Sequence, residues 1–269
     1  MKIVGIAIMS FLVISCISKD DKNSDLAKKI MSDQSMQEVE NMARKLMKNG
    51  FYAGSGYQMV WSRDLNTFIE LSCEEYNVNI IRENLLMFFH FQQVNGELLD
   101  GYVPKEAFTW GDPNTYESVT APGHIGFKNT VETDQETSLI QAITKYIGKT
   151  NDRSILTEKI AGKTVYERLT MSIEYLLNER YSEKYGIDIY DNAMLVIALK
   201  NMREFALEPE DKKKWGDLHE RIGMNSKKYL WDEKRNKFVP HIYVSDSPFP
   251  EDFEENAIHY HGGTAVAIE

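Results

Sequence analysis

Residues 192–199 read Asn-Ala-Met-Leu-Val-Ile-Ala-Leu, apolar on nearly every face of a helix. A helix of that kind must be enclosed by other elements, because no side of it can face water without cost. The next helical pattern, 209–230, is far more polar and suits an outer position. An enclosed helix followed by an exposed one is the unit of a layered helical fold. Earlier segments repeat the theme. Apolar residues at helical spacing mark 25–49 (Ala27, Ile30, Met31, Val39, Met42, Leu46, Met47) and 62–76 (Leu65, Phe68, Ile69, Leu71). Others mark 78–94 (Ile80, Ile81, Leu85, Leu86, Phe88, Phe89, Phe91), a run after Thr133 (Leu139, Ile140, Ala142, Ile143) and 164–180 (Val165, Leu169, Ile173, Leu176, Leu177). The short connection between 62–76 and 78–94 predicts an αα-hairpin.

The count is about seven helices, so the expected class is all-α with short β-hairpin pieces. A faint internal repeat points the same way. Tyr175 to Arg180 precede Lys184-Tyr185, and Tyr229 to Lys234 precede Lys237-Phe238, each closing a helix into a short turn or strand pair. At the end, His259-Tyr260-His261-Gly262-Gly263 is a polar loop. Thr264 then suits an N-cap for a helix of about one turn, 265–269, too short to stabilise itself.

The first 16 residues read as a leader rather than as fold. Lys2 is followed by an apolar run, 3–14, too short for a comfortable membrane span and suited to a signal h-region. Val13-Ile14-Ser15-Cys16 resembles a bacterial lipobox, which implies cleavage before Cys16 and its lipidation. More than one acyl chain would then give stable anchoring. An ordinary secretory signal with an incidental cysteine is the alternative. Residues 17–24 read as a polar tether. The implied location is a bacterial outer-membrane lipoprotein, periplasmic or surface-exposed, touching the membrane only through its anchor.

Charge narrows the partners. Of 269 residues, 31 are Lys or Arg and 41 are Asp or Glu, a formal net charge of −10. That argues against nucleic acid and against an anionic membrane surface. With two cysteines, one of them Cys16, no disulfide framework is available, and Cys73 reads as a core residue. No zinc-type Cys/His spacing occurs, so no metal is expected.

Trp61-Ser62-Arg63-Asp64 stands at the start of the 62–76 helix. Adjacent residues on a helix do not face each other, so Arg63 and Asp64 cannot neutralise one another there. Both could instead point into a pocket walled by Trp61 and Tyr57. Asp64 favouring the first turn through the helix dipole, beside a solvated Arg63, is the plainer alternative. The stretch 95–130 is a long loop carrying Asp100, Tyr102, Lys105, Trp110, Asp112, Tyr116 and His124, too aromatic for disorder. Aromatic faces with a few placed polar groups suit the apolar ring face and hydroxyls of a sugar. Next, Glu132, Thr133, Asp134, Gln135 and Glu136 put three carboxylates in five residues at another helix mouth. Thr133 and Glu136 are spaced as a capping box, which favours capping over catalysis for Glu136. Asp134 and Gln135 remain candidate ligands.

The Trp61–Asp64 segment resembles the Trp-x-Arg-Asp stretch of six-hairpin glycosidases, the (α/α)6-toroid group that includes glucoamylase-like enzymes. The segment around Asp134 and Gln135 resembles a second stretch of the same group. The resemblance spans roughly residues 50–269. It implies exo-type hydrolysis of a glycosidic bond with no cofactor, with Trp61, Arg63 and Asp64 holding the sugar, helped by Trp110, Asp134 and Gln135. A closed toroid needs twelve helices, so residues 25–269 would supply an incomplete (α/α)6-toroid. The apolar sides of its inner helices would then be exposed, open to aggregation or to a second polypeptide completing the ring. No catalytic acid and base can be assigned. Glu183, Asp188 and Asp191 are nearby acids, and helix capping explains the two aspartates equally well. A non-catalytic glycan-binding lipoprotein, a truncated product without a stable fold, and another α-toroid enzyme such as an epimerase or lyase are the rival readings.

Overall fold

The computed structural model describes residues 19–47, 51, 58–109, 111–129, 132–180 and 187–242. Two compact units divide the chain, Met1–Gly50 and Phe51–Glu269. Among the described residues the protein is mostly helical, with eight α-helices and short strand pieces. None of these helices is long and apolar enough to cross a membrane.

In the first unit, α1 (Lys19–Met31) and α2 (Gln34–Met47) replace the one helix expected over 25–49. The break falls at Ser32-Asp33, where the Asp33 carboxylate accepts the Ser35 backbone N–H at 2.8 Å and restarts the helix. Helix α1 also begins inside the segment read as a polar tether, whose positions 19–24 are helical.

The second unit holds α3 (Ser62–Glu75), α4 (Val78–His90), α5 (Gln135–Thr150), α6 (Val165–Tyr175), α7 (Ile189–Phe205) and α8 (Pro209–Leu230). Helix α4 starts on Asn77, whose side chain accepts the Asn79 N–H, and α8 starts with Pro at its first turn. The capping box sits at Thr164 and Glu167, where both reciprocal bonds form. A π-helical turn, Leu176–Arg180, continues α6.

Helix α5 packs between α3 and α7, α7 packs along α8, and α4 and α6 lie against α5. Nine consecutive α5 residues, 135 to 143, are buried, as are Leu65 and Ile69 of α3 and Leu195, Ala198 and Leu199 of α7. These meet Ile81, Leu85, Phe88 and Phe89 of α4, Leu169 and Ile173 of α6 and Trp215 of α8 in one hydrophobic core. The exposed apolar faces expected of an unclosed ring are absent from α3, α5 and α7 among the described residues. None of the three carries an exposed large hydrophobic side chain. The outward positions of α3 are Arg63, Thr67, Glu70, Glu74 and Glu75, a polar stripe at helical spacing. Cys73, expected in the core, is half-buried beside it.

The stretch expected as a long loop is irregular over most of its described residues but also supplies three short strands of a sheet. Strands β1 (Val60–Trp61), β2 (Gly101–Pro104), β3 (Thr115–Tyr116) and β4 (His124–Phe127) pair antiparallel in the order β1-β2-β4-β3. Short strands, several of them two residues long, leave almost no period-2 pattern to read. Three smaller antiparallel pairs follow: β5 (Lys159–Ile160) with β6 (Lys163–Thr164), β8 (Trp231–Asp232) with β9 (Lys237–Phe238), and β7 (Ile187–Asp188) with β10 (His241–Ile242). The β8–β9 hairpin is the strand pair expected after Tyr229–Leu230.

Candidate functional site

Local pairing brings the site together. Trp61 lies opposite Gly101 in the β1–β2 ladder, and the Ser62 N–H donates to the Asp100 carbonyl at 2.8 Å. A Cβ on Gly101 would meet the Val60 carbonyl oxygen at 2.6 Å, so only glycine lets the strands approach this closely. The first turn of α3 therefore rests beside Asp100. Because α3 packs on α5, the first turn of α5 faces it across a cleft of about 220 Å³. The cleft is lined by Trp61, Ser62, Arg63, Asp64, Asp100, Glu132, Asp134 and Gln135.

Arg63 grips Asp134 with both arms. Its Nε donates to Oδ2 at 2.6 Å and its Nη2 to Oδ1 at 2.7 Å, and Nη2 lies 3.3 Å from Glu132 Oε2. The Asp134 hydrogen bonds, against a smaller cost of burial, make the guanidinium hold its proton more tightly than usual. Asp134 is 2 % exposed and takes a third hydrogen bond, from the Tyr190 hydroxyl at 2.9 Å. Tyr190 belongs to α7, so this carboxylate ties the N-termini of α3, α5 and α7. A second tie runs from the Thr133 hydroxyl to Asp191 Oδ2 at 2.5 Å. Asp188 caps α7 by accepting the Asp191 N–H, as one of the two sequence readings had it.

The remaining acids feel their burial. Desolvation pushes Asp64 upward, partly offset by its own backbone N–H and by Arg63. Asp100 is 1 % exposed, and desolvation takes it to about 6 despite the Asn129 N–H on Oδ2 at 2.6 Å. Lys128, itself buried, stands 3.6 Å from Asp100 Oδ1 and donates to Gln135 Oε1 at 3.1 Å. The other end of the Gln135 amide donates to Glu132 Oε2 at 3.3 Å. Asp191 is also raised to about 6, chiefly by burial.

Glu136 is not a cap. The α5 N-cap is Asp134, which makes no side-chain capping bond, and Thr133 turns to Asp191 instead of closing a box. The Glu136 side chain is fully buried and accepts the Leu98 N–H at 2.9 Å. Desolvation raises it to about 7, and its Oε2 has no hydrogen-bond partner. Tertiary burial overrides the local capping geometry here.

Five of the six sequence-selected residues, Trp61, Arg63, Asp64, Asp134 and Gln135, line one cleft. Trp110 lies outside the described residues, as do Cys16, Tyr57, Glu183, the 259–263 loop and the helix stub at 264–269. Lys105 pairs with exposed Glu117, Asp112 holds the Asn114 N–H of its own turn, and Tyr102 is a core residue bonded to Asn84. Sequence reasoning named Asp100 among the polar groups of the long loop and Glu132 among three carboxylates at a helix mouth without choosing either as a ligand, and it gave Lys128 and Tyr190 no role. A carboxylate just before a glycine-led strand was the available signal for Asp100; Lys128 and Tyr190 carried none. Among the described residues no group of three or more His, Cys, Asp or Glu could hold a metal ion. No protein-family model matches the chain, and no curated protein is similar to it.

Proposed function

We propose that this protein acts on carbohydrate as a six-hairpin-glycosidase-like protein, with the sugar held in the Trp61–Asp64 and Asp134–Gln135 cleft. The observation that carries the reading is the convergence of those five residues, chosen from two segments 70 residues apart, on one cleft. The packing of α3, α5 and α7 in series, with α4, α6 and α8 against them, supports an (α/α) arrangement of inner and outer helices. An indole wall and ionised planar groups suit a sugar's apolar face and its hydroxyls.

Hydrolysis would need a carboxylic acid and a carboxylate flanking the bond. Asp134 carries two hydrogen bonds from Arg63 and one from Tyr190, which suits bracing rather than proton transfer. That observation favours the second reading, glycan binding without turnover.

Titration calorimetry against neutral oligosaccharides, with reducing-end release measured in parallel, tests both readings. Binding with release supports a glycosidase, and binding without release supports the glycan-binding form. Trp61→Ala and Arg63→Ala should abolish binding in variants that retain their helical circular dichroism. Unchanged affinity in either sinks the site assignment. The proposed lipid anchor is tested separately, by palmitate labelling of the wild type and of Cys16→Ala.

A further inference from the structure

Exposed apolar side chains concentrate in the first unit. Seven of the sixteen exposed large hydrophobics among the described residues fall between positions 26 and 46. In α2 they are Met36, Val39, Met42 and Leu46, 53 to 69 % exposed. Their spacings of three and four put them on one side of the helix. Gln37, Asn41 and Arg44 hold the opposite side, where Arg44 pairs with Glu40 at 2.7 Å. In α1, Leu26 and Ile30 stand one turn apart on one face and are exposed as well. A polar face backed by an open apolar one is the pattern of a helix that lies in a membrane interface.

We propose that the apolar face of α2, continued by that of α1, lies on the lipid surface to which Cys16 tethers the chain. The inference rests on the lipid-anchor reading above and is independent of the carbohydrate reading. On that reading α1 begins three residues after the acylated cysteine, a reach of at most about 10 Å, so these helices are held against the bilayer from the start. Charge permits the approach. Residues 24–47 carry four basic and four acidic side chains, although the whole chain is −10. The repulsion that keeps the rest of the protein from an anionic surface is therefore absent here. Length argues against a second copy of the chain as the cover. Helix α2 has 14 residues, two heptads, where a sustained coiled coil needs about three to four. A lipid surface sets no such minimum, and an interfacial helix sinks its apolar face about 5–10 Å into the headgroup boundary.

The test uses the full protein, processed and acylated in a bacterial host, and reconstituted in vesicles of phosphatidylethanolamine and phosphatidylglycerol. In a Cys73→Ser background, Val39→Cys and Met42→Cys place a thiol on the apolar face, and Gln37→Cys and Asn41→Cys place one on the polar face. Acylation of the Cys16 sulfur leaves each introduced cysteine as the single free thiol. All four positions are exposed, so an environment-sensitive nitrobenzoxadiazole label costs the fold little. Labels at 39 and 42 should shift to the blue and lose emission to doxyl-labelled lipid, while those at 37 and 41 do neither. Val39→Asp with Met42→Asp should abolish the same shift at a label on Leu46→Cys. Palmitate incorporation is read on every sample. An acylated protein whose four labels behave alike overturns the inference and leaves the anchor reading intact. A blue shift at 39 and 42 that doxyl lipid does not quench assigns the face to a second protein surface and also overturns it. Absence of palmitate overturns the anchor reading, and the inference falls with it.

Discussion

Glu136→Gln isolates the cost of a buried carboxyl group. In the folded protein Glu136 is fully buried, accepts only the Leu98 N–H, and is raised from an ordinary 4.5 to about 7. Desolvation is the main cause, opposed by Lys128 and by the Leu98 N–H. A folded value above the unfolded one means that the native state binds the proton more tightly. The contribution of Glu136 to stability is therefore complete below about pH 4.5 and is lost as pH rises towards 7. A shift of this size corresponds to about 3 kcal/mol, taken as an order of magnitude. Glutamine does not titrate. It keeps an acceptor for the Leu98 N–H but places an amide N–H₂ where Oε2 has no partner, at a cost of about 1 kcal/mol. The variant should be about 1 kcal/mol less stable than wild type at pH 4.5 and about 2 kcal/mol more stable at pH 8. Asp100 and Asp191 titrate in both proteins, so their contributions largely cancel in the difference. Urea unfolding of both proteins at the two pH values measures it. A difference that stays constant from pH 4.5 to pH 8 would refute the claim that Glu136 is buried and uncompensated.

Arg63→Ala leaves Asp134, 2 % exposed, with Tyr190 as its remaining partner; because the arginine is 46 % exposed, the loss should be about 2 kcal/mol rather than the full cost of a buried pair, measured by chemical denaturation. A cycle with Asp134→Asn checks that the loss belongs to the pair. Gly101→Ala would press a methyl against the Val60 carbonyl at 2.6 Å, where backbone cannot swing aside. It should cost about 1–3 kcal/mol and loosen the β1–β2 contact, visible as faster exchange of the Ser62 amide, which donates to the Asp100 carbonyl. Trp215→Ala removes a fully buried ring whose Nε1 donates to the Tyr166 hydroxyl; a fall of about 3–5 kcal/mol is expected in thermal or urea unfolding.

The helices were legible because their signals are local. Apolar spacing located α3, α4, α6, α7 and α8 to within a few residues, and the enclosed character of α7 was visible in its own composition. The boundary of α4 shows the limit: its apolar pattern runs on to Val94, yet the helix stops at His90. Nothing between those residues breaks a helix by itself; the turn that follows uses a positive φ at Gly96, seated against the Met171 carbonyl.

Strands of two to four residues left no such trace, since their pairing partners lie as far as 55 positions away, as for Ile187 and Ile242. The cleft divides in the same way. Trp61, Arg63, Asp64, Asp134 and Gln135 announced themselves as polar groups at the mouths of apolar helices, an arrangement that is costly without a purpose. What each group does there was decided by tertiary contacts. Arg63 pairs with a carboxylate 71 residues away, and Tyr190 joins it from α7. Glu136, spaced to cap its own helix, is instead drawn into the core to hold Leu98. Helical periodicity is written in neighbouring residues and can be read from them. Charge pairing, desolvation and strand register depend on distant segments meeting in space, and only the folded chain decides them.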